Sequence, residues 1–152
     1  MLFRSTNVIA GEARVSLDVR HHDNAARVQA AEQMSLEAAQ IAKRRGLKVS
    51  QTQGLNQPSV AMDPFLGDQI EESISRAGCK PHRMVSGAGH DAMILAEKIP
   101  SAMIFLRTPG GISHDPAESV AVEDVAKAIE CGLHFLERMA SSPHFLSRTC
   151  RA

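Results

Sequence analysis

Between Glu12 and Arg20 polar and apolar side chains alternate without a break. Ala13, Val15, Leu17 and Val19 fall on one side, and Glu12, Arg14, Ser16, Asp18 and Arg20 on the other. A period of two marks a half-buried strand, because successive side chains leave a strand on opposite faces. Such a segment demands backbone partners along an edge and an apolar layer under one face. Ala10-Gly11 can turn the chain, which makes residues 5 to 9 a candidate hairpin partner. The period then switches. Asp23 is placed to cap a helix, Val28, Ala31, Met34, Ala38 and Ile41 recur at helical spacing, and Gly46 sits where a glycine ends one. Leu47 to Thr52 alternates again. Strand, helix, strand is the grammar of a ferredoxin-like α+β layer, here with too few strands to be complete.

Residues 54 to 62 form a polar, proline-containing connector and the predicted boundary. Asp63-Pro64 reads as a helix start, a cap followed by proline at the first helical position. Leu66, Ile70 and Ile74 would be its buried stripe, with Gly78 as its stop. A short strand near His82 to Val85, a glycine-rich turn, a helix from Asp91 to Lys98 and a short apolar strand from Ser101 to Leu106 follow. A loop from Arg107 to Ser119 leads to a last amphipathic helix in which Val125, Ile129, Leu133 and Leu136 share a face. Alternating helices and strands predict an α/β arrangement. The expected organisation is one unit over 1–57, a second over 58–140, and a tail over 141–152.

Composition excludes several function classes. With a formal net charge of zero and 22% charged residues, the chain carries neither a basic footprint for nucleic acid nor an acidic tail. No apolar run approaches the roughly 20 residues that span a bilayer, so no membrane role is expected. Met1 to Thr6 lacks the apolar stretch of a secretory signal. Cys79, Cys131 and Cys150 are odd in number and far apart, which suggests neither a disulfide framework nor a zinc–thiolate site. A reducing cytoplasm is the expected compartment.

Two loops carry candidate chemistry. In Ser86-Gly87-Ala88-Gly89-His90-Asp91-Ala92 small residues allow a ligand to approach the backbone at a helix start. His90 can serve such a site or merely cap the helix. Pro109-Gly110-Gly111-Ile112-Ser113-His114-Asp115-Pro116 follows an apolar strand, where sites collect in open α/β sheets. His114 can be a metal ligand, an acid–base group or an exposed loop histidine. Asp115 can orient its ring or act only as a turn residue. The other histidines lack partners: His21-His22 reads as a solvated pair, and His82, His134 and His144 stand alone. The sequence has no HExxH, P-loop or GxSxG motif.

Four segments together resemble one family. They are Asn7-Val8-Ile9-Ala10-Gly11-Glu12, Leu17-Asp18-Val19-Arg20-His21, Ser86 to Ala92, and Gly110-Gly111-Ile112-Ser113-His114-Asp115-Pro116-Ala117-Glu118. In order and spacing they are similar to the hydantoinase/carbamoylase branch of the zinc-peptidase-like amidohydrolases, which includes allantoate amidohydrolases and N-carbamoyl-L-amino-acid hydrolases. The resemblance implies a partial ferredoxin-like lid and dimerisation domain followed by the C-terminal piece of a three-layer α/β catalytic domain. It implies hydrolysis of linear amide or ureido C–N bonds in allantoate, N-carbamoyl-amino acids or ureido acids. A complete site would hold two divalent metals, zinc or manganese, with nickel also within the chemistry. By the same resemblance Asn7 and Arg20 clamp the substrate carboxylate, Gly89 and His90 contact substrate with His90 stabilising the developing oxyanion, and His114 is the last metal ligand.

The pattern also departs from the family. Ala10 stands where proline is usual, and Arg107-Thr108-Pro109 replaces a Val-Pro-Ser-like stretch. The family's His-x-Asp, its paired acidic residues, its second histidine ligand and the first half of its lid are expected upstream of Met1. One histidine cannot hold a catalytic zinc, which needs about three protein ligands. The expectation is an incomplete metal site and an inactive isolated chain, acting as a homodimer in complete form or with a separate N-terminal half. The competing expectations are a non-catalytic dimerisation or regulatory module and a metallopeptidase of the same superfamily.

Overall fold

A computed structural model describes residues 9–142 and divides the chain into two units, Met1–Ser59 and Val60–Ala152. The first is organised by one helix, α1 (Asn24–Arg44). Asp23 caps it as its position suggested, Oδ1 accepting from the Ala25 and Ala26 amides at 2.8 and 3.3 Å. At the other end Gly46 takes φ +67, which frees the Leu47 and Gly46 amides to donate to the Ala42 and Lys43 carbonyls at 2.9 and 3.2 Å. This paired closure satisfies carbonyls that the last turn would leave bare. Lys43 and Arg44 add charge of the sign that favours a helix C-terminus. Among the described residues of this unit, Ala42 is the buried hydrophobic one. Gln51 ties the following segment to α1, its Nε2 donating to the Ser35 carbonyl at 2.9 Å, and Ser35 Oγ donates to its Oε1.

In the second unit α2 (Pro64–Arg76) starts where Asp63-Pro64 predicted, Asp63 Oδ1 accepting from the Leu66 amide at 2.9 Å. Gly78, at φ +76, closes it in the same way as Gly46 closes α1, with Cys79 N–H donating to the Ile74 carbonyl at 3.1 Å. A short α3 (Asp91–Leu95) continues as hydrogen-bonded turns to Ile99 rather than as helix to Lys98. The last helix, α4 (Val122–Ser141), packs on α2. The two run antiparallel: Lys127 Nζ donates to the Ala77 carbonyl at 3.0 Å, and Arg138 Nε to Gln69 Oε1 at 3.2 Å.

The core of this unit is small. Its buried residues include Ser73 and Ala77 on the α2 side and Cys131 and Met139 on α4, and the two helices are in contact. Ser73 can be accepted there because its Oγ donates to the Gln69 carbonyl at 2.7 Å, leaving no bare hydroxyl. Burial pushes the Cys131 thiol above its ordinary value. An apolar cleft of about 220 Å³ lies against this seam, lined by Ile70, Ala102, Ile104, Cys131, Gly132 and Phe135. Segment 101–106 therefore lies beside both helices, and the Asp63 amide anchors it by donating to the Ser101 carbonyl at 2.8 Å.

One sequence expectation needs correction. Among the described residues, segments 12–20, 47–52, 82–85 and 101–106 run without ladder pairing and no strand forms; residues 5–8 of the expected hairpin partner lie outside the described residues. A strand exists only through its neighbour, roughly 4.8 Å away, and alternation within one segment cannot supply that neighbour. The apolar side of 12–20 is accordingly bare, with Val15 91% and Leu17 62% exposed. In α4 the four residues read as one face differ in cover: Val125 is half-buried, whereas Ile129, Leu133 and Leu136 are exposed, and the buried residues of the helix are Cys131 and Met139. The helix is apolar on two sides, and α2 covers the less obvious one.

Candidate active-site residues

Arg20 ends the extended segment of the first unit with its guanidinium engaged. Nε donates to the two Asp18 carboxylate oxygens at 3.0 and 3.1 Å, and Nη2 donates to Asp18 Oδ2 at 2.7 Å. Hydrogen bonding from Arg20 holds the Asp18 carboxyl below its usual range. Arg20 thus grips a carboxylate in a fork-to-fork geometry, and in this conformation the carboxylate is the chain's own. Asn7, expected to share in the clamp, lies outside the described residues. His21 and His22 are exposed and ring-stacked, centroids 4.4 Å apart.

Gly89, His90 and His114 belong to the second unit. His90 occupies the cap position of α3, yet its side chain makes no capping bond. Its Nε2 instead lies 2.7 Å from Ser86 Oγ, and its ring meets Phe105 edge-on at 5.4 Å between centroids. Ser86 Oγ also accepts from the Ala88 amide at 3.2 Å, so the turn that carries Gly89 is organised around the same hydroxyl. Serine and aromatic ring fix the imidazole from two directions, which a simple helix cap would not require. A Cβ at Gly89 would meet nothing within 4 Å, so no steric need for glycine there comes from the chain itself.

His114 lies on the exposed glycine-rich loop. Pro109, Gly110 and Gly111 form one 3₁₀ turn, with both glycines at positive φ. His114 also has positive φ, +58. Its amide donates to Glu118 Oε2 at 2.8 Å. Asp115 serves the turn rather than the ring, its Oδ1 accepting from the Ala117 amide at 2.8 Å. At the root of the loop Arg107 Nε donates to Asp124 Oδ2 of α4 at 2.7 Å. That bond holds the Asp124 carboxyl below its ordinary value. Arg107, Thr108, Pro109, Gly110, Ala121 and Asp124 line an open cleft of about 340 Å³. Ser86, Phe105, Asp18, Glu118 and Asp124 were not singled out by sequence reasoning as partners of the site residues. Ser86 and Glu118, each four positions from a motif histidine, and Asp18, two from Arg20, left a signal in their spacing.

The model of peptidase family M20/M25/M40 matches residues 8–138. The chain belongs to this family. It is similar to the allantoate deiminase of Arabidopsis thaliana, 35% identical over 88% of this chain and 27% of the relative. It is also similar to the allantoate amidohydrolase of Escherichia coli K12, 30% identical over 83% of the chain and 31% of the relative. A third relative, the N-carbamoyl-L-amino acid amidohydrolase of Geobacillus stearothermophilus, is 32% identical over 88% of the chain and 33% of its own length. The chain therefore spans about a third of the length of these curated relatives.

The family is an α/β one, which accounts for strand-like alternation in segments that find no ladder partner here. Its peptidases generally use divalent metals. The described residues do not suffice for such a centre: they contain no group of three or more His, Cys, Asp or Glu side chains that could hold a metal ion. No described helix is long and apolar enough to cross a membrane.

Proposed function

We propose that this chain is the C-terminal part of a metal-dependent amidohydrolase that cleaves linear amide or ureido C–N bonds in allantoate or N-carbamoyl-amino acids. The observation that carries this reading is the family match over residues 8–138 together with relatives named for those substrates. Residues 1–57 form part of a ferredoxin-like lid and dimerisation domain, 58–140 the end of a three-layer catalytic domain, and 141–152 a tail. Two divalent metals, zinc or manganese, would supply Lewis acidity and activated water in the complete centre. His114 is this chain's one ligand to that centre, and the remaining ligands come from elsewhere, in a homodimer of the complete enzyme or from a separate N-terminal half. The enzyme works in the reducing cytoplasm.

The chain's own residues bind and orient. Arg20, with Asn7, takes the substrate carboxylate, replacing the Asp18 carboxylate in its fork. Gly89 lets substrate approach the backbone beside His90. The His90 imidazole, held by Ser86 Oγ at 2.7 Å and by the edge of Phe105, is oriented before substrate arrives. A donor fixed in advance stabilises a developing oxyanion without reorganising during the reaction.

The test measures ammonia released from allantoate and from N-carbamoyl-amino acids, by the chain alone and mixed with the upstream portion of a curated relative. Activity is expected only in the mixture. There His114→Ala should abolish it, and Arg20→Ala should raise KM about tenfold or more with metal content unchanged. Turnover by the chain alone would refute the need for outside ligands. Full activity of His114→Ala would remove His114 from the site, and loss of metal in Arg20→Ala would overturn the carboxylate-clamp assignment.

A further inference from the structure

The loop that carries His114 contains a second device beyond its glycines. Asp115-Pro116-Ala117-Glu118 forms a β-turn in which the Glu118 amide donates to the Asp115 carbonyl at 2.9 Å and the Ala117 amide to Asp115 Oδ1 at 2.8 Å. Aspartate at the first position and proline at the second are what such a turn favours, one for its side-chain bond and the other for its fixed φ. Closing the turn brings the Glu118 side chain back to the residue before it. Its Oε2 then accepts the His114 amide hydrogen at 2.8 Å.

His114 has φ +58, in the left-handed region. Histidine enters this region more readily than most residues, but against a steric cost that glycine does not meet. The conformation persists only where something outside the residue holds it. No helix or strand includes His114, and its surroundings are exposed, so packing does not hold it. The charge-assisted bond that the His114 amide donates to the Glu118 carboxylate does. The Asp115 side chain is engaged elsewhere, its Oδ1 accepting from the Ala117 amide inside the turn. Returning residue 114 to an ordinary negative φ would redirect its Cα–Cβ bond, and the imidazole would leave the loop on another side.

We propose that Glu118 is a positioning residue for His114: its carboxylate, brought round by the 115–118 turn, locks the His114 backbone in the left-handed conformation and so sets the direction of the imidazole. The functional weight of this device rests on the reading of His114 as an active-site residue, whereas its geometry does not.

The experiment is nuclear magnetic resonance on the ¹⁵N-labelled full chain. It follows the His114 amide through its solvent exchange and through the intraresidue amide–α-proton NOE, which is strong at positive φ because the two protons then lie closest. Glu118→Ala should speed His114 amide exchange about tenfold and weaken that NOE to the level of an ordinary loop residue. Glu118→Gln retains a carbonyl acceptor and should keep most of the protection. The Ala117 amide, bonded to Asp115, should be unchanged in both and reports that the turn still forms. An unchanged His114 amide in Glu118→Ala, or a Gln variant that behaves like Ala, overturns the proposal. Failure of the active-site reading would appear instead in the His114→Ala arm of the activity assay, leaving these spectra as expected.

Discussion

The two faces of α4 give opposite expectations for neighbouring substitutions. Met139 is 8% exposed against α2, whereas Leu133 and Leu136 are 57% and 63% exposed on the other side. Truncating a buried methionine to alanine removes apolar contact and leaves a void, about 2–5 kcal/mol in well-packed cores. Here the seam is thin and can partly collapse, so the lower end, about 2 kcal/mol, applies to Met139→Ala. Leu133→Ala removes a side chain that is already more than half in water, and the cost should stay under about 1 kcal/mol. For a unit of this size each kcal/mol shifts Tm by roughly 4–8 °C, so Met139→Ala should lower Tm by about 8–16 °C. Thermal unfolding followed by circular dichroism, at low protein concentration, reads both variants. Equal losses, or a larger loss for Leu133→Ala, would refute the packing of α4 through its Cys131–Met139 face.

Gly78→Ala should cost about 1–2 kcal/mol, because alanine must enter φ +76 to keep the α2 closure, and urea unfolding measures it. The Arg107–Asp124 bond should persist from neutral pH down to 3.8, the ordinary carboxylate value, and break as pH falls further through the depressed value of the folded state. The Arg107 Nε–H resonance reports this; a transition above pH 3.8 would contradict the bond, and Asp124→Asn should remove the response. Toward a thiol reagent the half-buried Cys79 should react before Cys131, whose thiol is buried and raised in pKa. Mass spectrometry of partially labelled chain gives the order.

Local signals in the sequence were the dependable ones. Asp23, Asp63-Pro64, Gly46 and Gly78 marked helix ends correctly, because a cap or a left-handed closure depends on residues within one turn of itself. The alternation of 12–20 was equally clear and formed no strand, since a ladder depends on residues far away in sequence. In α4 the larger apolar stripe was visible but was not the one that α2 covers, because periodicity names a face without naming its partner. Candidate site residues followed the same division. As candidates, His90 and His114 stood out by their glycine-rich loops, and the Asp115 turn by its Asp-Pro pair. The partners that orient them, Ser86 with Phe105 and Glu118, are set by backbone geometry: the left-handed turn at His114 and the seat of His90 beside segment 101–106.

The uncovered side of α4 has a practical consequence for anyone handling the isolated polypeptide. Ile129, Leu133 and Leu136 form a continuous oily ridge that water leaves at the first opportunity. Molecules that meet along such ridges stabilise one another by mass action, so a melting temperature measured on this chain should climb with protein concentration. Dilution series would then be as informative as mutagenesis, and a single carboxylate placed on the ridge, Leu133→Glu, should flatten the dependence while leaving the α2 seam intact.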